Sequence, residues 1–249
     1  MPPWWSPADP RRWGLGDVGY GLLLAIGGQT IVGVLLVALG VAGEGDLDLP
    51  PWGILLAVAA GWVGFIGWPV VASYVKGQRS LALDFGLRFR PVDVGWGILG
   101  GIAVLGFSVA LNVAWHLVTG KDAPENSGFL PESPSFVTAA LLVLAVAVIT
   151  PFAEELFFRG LLMRALEKRF NPKIAVVVSS VVFGALHLTG VTSATDLADF
   201  ALQGVFIAVV ITLYGLVFAL LDIYTGRLAP SIIAHMVVNG VGVVSYLLT

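Results

Sequence analysis

The sequence predicts an all-α protein, a polytopic transmembrane helix bundle of about seven spans. Three observations carry this reading. Of 249 residues, 57% are hydrophobic and only 12% are charged, about half the charge of an average globular chain. The mean hydropathy is +0.92. Seven segments are apolar over roughly the 20 residues that a helix needs to cross a bilayer core of about 30 Å. So little charge does not clothe a soluble body of 26.2 kDa. The 31 Gly and 14 Pro do not signal disorder in so apolar a chain. A net charge of −3 gives no basis for nucleic-acid binding. The absence of Cys removes disulfides, thiolate metal sites and Cys nucleophiles.

The first span is read as Val18–Val41. It follows Arg11, Arg12 and Trp13, is too long for the apolar region of a cleavable signal, and has no small-residue cleavage site after it, so it is expected to be retained. The second and third spans are Trp52–Val75, with Gly61, Gly64 and Gly67, and Val94–Val118, with Gly97 and Gly101. A polar loop, Thr119–Pro134, precedes the fourth span, Ser135–Phe158. The fifth, Ile174–Leu188, is short and carries Ser179, Ser180 and Gly184; Leu197–Leu221 and Leu228–Leu248 complete the set. Small residues let helices approach closely in lipid, and Trp13, Trp52 and Trp115 near span ends suit interfacial anchors. No long polar stretch divides the chain, so residues 1–249 read as one membrane domain, with spans over 18–118 and 135–248.

The basic residues orient it. Arg11 and Arg12, then Lys76, Arg79, Arg88 and Arg90, then Arg159, Arg164, Lys168, Arg169 and Lys173, then Arg227 fall on one side, and only Lys121 on the other. The positive-inside rule then places the N-terminus in the cytoplasm and the C-terminus outside a cell membrane.

Ionisable groups inside spans are expensive and usually functional. Pro151-Phe-Ala-Glu154-Glu155-Leu-Phe-Phe-Arg159 holds two carboxylates that point about 100° apart on a helix. Glu155 and Arg159, four residues apart, share a face and pair; Glu154 has no such partner on its own helix and suits a general base or acid. Pro151 removes a backbone N–H and is expected to free the carbonyl of Ala147. Phe183 and His187 lie in the fifth span, and His235 and Asn239 share a face of the seventh. Counted at about 1.5 Å per residue, Glu154, His187, His235 and Asn239 fall in one slab, roughly 12–21 Å from the nearest cytoplasmic charge. Each has a plainer reading: an interface salt bridge for Glu155–Arg159, and interhelical hydrogen bonds for the others. His116 reads as an interface residue, Asp222 and Tyr224 as span-end residues, and Thr189 as a cap of the fifth helix.

In this order, E-E-x-x-x-R, F-x-x-x-H and H-x-x-x-N resemble the motifs of the CAAX protease and bacteriocin-processing (CPBP) family, which includes the eukaryotic Ras-converting CAAX endopeptidase. Asp84-Phe-Gly-Leu-Arg88 resembles a short segment that members often carry ahead of the core. The resemblance covers roughly Ser135 to the end. It implies an intramembrane endopeptidase in which Glu154 and His187 activate a water. His235 and Asn239 would donate to the oxyanion, with Glu155, Arg159 and Phe183 in support. It also implies a peptide or protein substrate, lipid-modified in the prenylated case, met within the lipid bilayer.

A metal reading competes, because Glu154, His187 and His235 make a conceivable zinc set. There is no H-E-x-x-H, and Asn is a poor zinc ligand but a good oxyanion donor, so chemistry without a cofactor is preferred. Two other functions stay open. In an ion- or proton-coupled transporter the same residues would relay protons, although no inverted repeat is evident. A scaffold or bacteriocin-immunity protein of protease ancestry would keep the motifs without catalysis.

Overall fold

A computed structural model describes residues 11–41, 49–124, 134–188, 194 and 196–248. Thr189 and much of the loop Thr119–Pro134 lie outside them. Among the described residues every regular element is helical: besides the single turn Leu81–Asp84 these are α1 (Leu15–Ala38), α2 (Pro51–Lys76), α3 (Val92–Thr119), α4 (Phe136–Glu167), α5 (Pro172–Ala185), α6 (Leu197–Thr225) and α7 (Ala229–Leu248). Six of these are long and apolar enough to cross a membrane. The other, α5, has 14 residues, about 21 Å of helix, so the seven expected segments become six full-length helices and one short one.

Local chemistry sets the ends. The Asn171 side chain accepts from Ile174 N at 3.0 Å and Pro172 opens α5, the arrangement that best satisfies a helix start. Asp196 caps α6 in the same way, accepting from Asp199 N at 2.8 Å. Gly120 and Gly226 end α3 and α6 with φ of +68° and +66°, which favours Gly.

Two expected boundaries move. Helix α4 runs nine residues past Phe158, to Glu167. Arg159 and Arg164 are therefore not loop charges. They lie inside the bundle, buried, because each has a carboxylate to meet: Glu155 at 2.9 Å and Asp222 at 3.1 Å. Asp222, a span-end residue in the last turn of α6 as expected, is also a buried partner; Tyr224, beside it, is exposed. Helix α5 stops at Ala185, so His187 stands in the turn that follows rather than in the helix.

Helix α7 packs along α3 and against α4, α6 along α5, and α1 along α2. Glycine makes these crossings. A Cβ on Gly64 would lie 2.2 Å from the Gly21 carbonyl, and one on Gly184 would lie 2.4 Å from the Ala208 carbonyl. Gly97 and Gly101 take Ile233 and Val237 of α7 against α3. The outward faces stay apolar, with Leu23, Ile31, Leu99 and Val109 all exposed, as a surface bathed in lipid requires.

One end of the bundle is welded by polar contacts. Asp84, fully buried, accepts from Ser73 Oγ (2.6 Å), Trp13 Nε1 (3.3 Å) and Gln78 N (2.9 Å). Phe85 packs on Trp13, and Gly86, at φ +72°, turns its carbonyl to Leu228 N at 2.9 Å. Asp84-Phe-Gly-Leu-Arg88 thus ties α2 to the start of α7. Lys76 reaches Asp17 at 2.7 Å, Lys168 donates to the carbonyls of Arg11 and Trp13, and Arg227 forks onto Asp93.

Gly184→Val forces the α5–α6 backbones apart and is expected to cost about 1–3 kcal/mol, the range for overpacking. Gly33→Val, where an added Cβ meets nothing, should leave stability unchanged; thermal unfolding in detergent compares the two.

Candidate active site

The site is built on an irregular stretch of α4. Val143–Ile149 and Leu156–Met163 are π-helical, and the short α-helical segment Thr150–Glu155 lies between them. Such π segments are frequent at functional sites. In the first of them Thr150 N donates to Ala145 O, five residues back. The next carbonyl in that pattern, Val146, faces Pro151, which has no N–H to give. The carbonyl freed by Pro151 is therefore Val146 and not Ala147, because the hydrogen-bond spacing here is five residues rather than four. Asn239 Nδ2 donates to it at 3.0 Å.

The two adjacent carboxylates diverge as their helical spacing demands. Glu155 is fully buried. Its Oε1 accepts from Arg159 Nη1 at 2.9 Å and from His235 Nδ1 at 3.0 Å. A carboxylate paired with a guanidinium accepts and does not donate, so the proton on that side of His235 sits on Nδ1. The other ring nitrogen, Nε2, then faces Glu154 Oε2 at 3.6 Å. The His235 ring is stacked on Phe218, with centroids 4.7 Å apart.

Arg159 is held through its two terminal nitrogens and by two aromatic rings. Its Nη2 donates to the Gly215 carbonyl at 3.0 Å, and its guanidinium lies 4.6 Å from the Phe183 ring and 5.5 Å from that of Phe218. Gly215 allows this, since a Cβ there would stand 3.0 Å from Nη2. Phe183 also meets His187 edge-on at 4.9 Å and His235 at 5.7 Å. His187 Nδ1 donates to the Phe183 carbonyl at 2.8 Å, which leaves Nε2 as its accepting nitrogen in the neutral ring.

Glu154 alone of the two carboxylates reaches open space, with 14% of its side chain exposed. It lines a cavity of about 120 Å³ between α1, α2 and α4, together with Gln29, Trp62, Val146 and Thr150. Trp62 Nε1 donates to Thr150 Oγ1 at 3.1 Å across it.

The structure thus brings Glu154, Glu155, Arg159, Phe183 and His235 into contact. His187 joins through Phe183, and no hydrogen bond or ion pair links it to either glutamate among the described residues. Asn239 lies one turn beyond His235 and serves Val146. Sequence reading missed Phe218, Gly215, Trp62 and Thr150. Gly215 and Phe218 lie on α6, which carries no motif of its own and meets the others only through packing. No group of three His, Cys, Asp or Glu side chains is arranged to hold a metal ion among the described residues.

Residues 136–241 match the family described as Rce1-like, type II CAAX prenyl endopeptidase Rce1-like. A Bacillus subtilis (strain 168) protein named "Putative membrane peptidase YdiL" is 26% identical over 146 residues, 58% of this chain. The match spans about half of that relative, 52% of its length. No solved structure matches. The chain is a multi-pass membrane protein with an Rce1-like region from α4 to α7. Through that region it is similar to the CAAX prenyl endopeptidase family and to a membrane peptidase, and the matched segment contains every candidate residue from Glu154 to Asn239.

Removing one partner of a buried pair strands the other charge. Arg159→Met is expected to destabilise the protein by about 3–5 kcal/mol, and Glu155→Leu added to it should recover a large part. Detergent melts of the single and double variants measure both.

Proposed function

We propose that this protein is an endopeptidase of the cell membrane that hydrolyses a peptide bond with a water activated by Glu154 and His187. The observation that carries the proposal is the division between the two glutamates: Glu155 is consumed by Arg159 and His235, while Glu154 faces a cavity with His235 behind it. Glu154 takes a proton from water as the oxygen attacks the scissile carbonyl, and His187 orients that water through Nε2. His235 donates from Nε2 to the oxyanion. Collapse of the tetrahedral intermediate breaks the C–N bond, and Glu154 passes its proton to the leaving amine. Each proton is returned and no cofactor enters the balance.

The donor set favours chemistry without a metal. Among the described residues no three His, Cys, Asp or Glu side chains are arranged to hold a metal ion. The substrate is a peptide or protein reached from within the bilayer, and nucleic acid has no role. The N-terminus is assigned to the cytoplasm and the C-terminus to the outside. With Arg159 and Arg164 withdrawn into the bundle, ten of the eleven other basic residues still cluster at the end carrying Arg11 and Arg227, and only Lys121 lies at the opposite end.

Purified protein in detergent should cleave a suitable peptide, and Glu154→Gln should lower kcat/KM by about 10²–10⁴-fold without altering the melt. A comparison of membrane-protein C-termini from cells holding either form identifies the substrate and whether it is lipid-modified. Cleavage at the wild-type rate by Glu154→Gln would sink the assignment. A Glu154-dependent ion flux in liposomes without cleavage would establish the transporter instead. Exhaustive chelation should leave activity intact; loss restored by zinc overturns the metal-free chemistry.

A further inference from the structure

We infer that Asn239 is a positioning residue: its side-chain amide replaces the backbone N–H that Pro151 lacks, and so fixes the π-to-α junction of α4 on which Glu154 is carried. Three observations converge. The hydrogen-bond spacing before Pro151 is five residues, since Thr150 N donates to Ala145 O. That register aims the Val146 carbonyl at the one residue type with no N–H. Asn239 Nδ2, from another helix, lies 3.0 Å from that carbonyl.

In the hydrocarbon region a carbonyl freed by proline needs another donor, and a neighbouring helix can supply one. A side chain on a neighbouring helix is one of the few donors available. The donor is also well placed for function. Val146 and Thr150 line the same cavity as Glu154, at intervals of four residues along α4. Asn239 follows His235 by four residues on α7, and His235 already meets both glutamates. Helix α7 thus grips α4 at two levels. His235 contacts the carboxylates, and Asn239 holds the main chain above them, which fixes the rotation and height at which Glu154 enters the cavity.

This assigns to Asn239 an action through Pro151 and Val146 rather than direct contact with the reacting carbonyl. The two roles separate in a double-mutant cycle, because Pro151→Ala restores an N–H that can satisfy Val146 from within α4. Asn239→Ala, and Asn239→Leu, which keeps the volume and removes the donor, are each made alone and with Pro151→Ala. In the native background each should lower the melting temperature clearly and reduce kcat/KM by about tenfold or more. In the Pro151→Ala background the melting loss should at least halve, and the activity loss should shrink to about threefold or less.

Equal melting losses in the two backgrounds overturn the inference. An activity loss of the same factor in both, with the melting cycle coupled, also overturns it, by showing that Asn239 acts on the substrate directly. Only the activity readout rests on the peptidase reading. A wild-type protein that cleaves no peptide removes that reading and leaves the melting cycle to decide the bond.

Discussion

The buried ion pair of Glu155 with Arg159 is the interaction from which the α4–α7 half of the bundle takes its shape. Both side chains are fully buried, and in so dry a place their desolvation exceeds what mutual attraction alone returns. The deficit is met by further contacts, which come from three other helices. Gly215 of α6 gives a carbonyl, Phe183 of α5 and Phe218 of α6 give ring faces, and His235 of α7 gives a ring N–H. Four helices are therefore fixed around one guanidinium and one carboxylate. The glycines follow from this, since Gly215 must be bare for Arg159 to reach its neighbour.

The same pair dictates the fate of its neighbour. Residues adjacent in a helix point about 100° apart, so a backbone rotated to bury Glu155 among α5, α6 and α7 must turn Glu154 toward α1 and α2. There the packing is incomplete, and the cavity beside Trp62 and Thr150 results. Two chemically identical side chains acquire opposite characters through rotation alone: one buried and paired through its Oε1 with a guanidinium and an imidazole, the other facing space with one imidazole nearby. His235 lies between them and touches both, so its position couples the structural carboxylate to the free one.

Much of this was legible in the sequence, for identifiable reasons. Hydropathy gave the helices because lipid imposes one demand over some 20 residues. The Glu155–Arg159 pair was legible because a separation of four residues defines a helix face. The motif order identified Glu154, Phe183, His187, His235 and Asn239 as candidates. Contacts between distant residues were not legible. Nothing periodic joins Arg164 to Asp222, 58 residues away, or Phe218 to His235, so Arg164 passed for a loop charge. The short reach of α5 was read three residues too long, because Leu186 and Leu188 continue the apolar pattern after the helix has turned.

Proline marks the limit most sharply. Pro151 in an apolar span announces that one carbonyl lacks a donor, but sequence alone does not tell which. The answer depends on whether the preceding turn closes over four residues or five, and that depends on how α4 packs against α7. A four-residue turn would offer Ala147; the five-residue turn offers Val146, which lies opposite Asn239. The wider turn and the asparagine therefore account for each other. The π register presents a carbonyl to α7, and the asparagine on α7 makes that register tolerable in a medium that does not forgive an open acceptor.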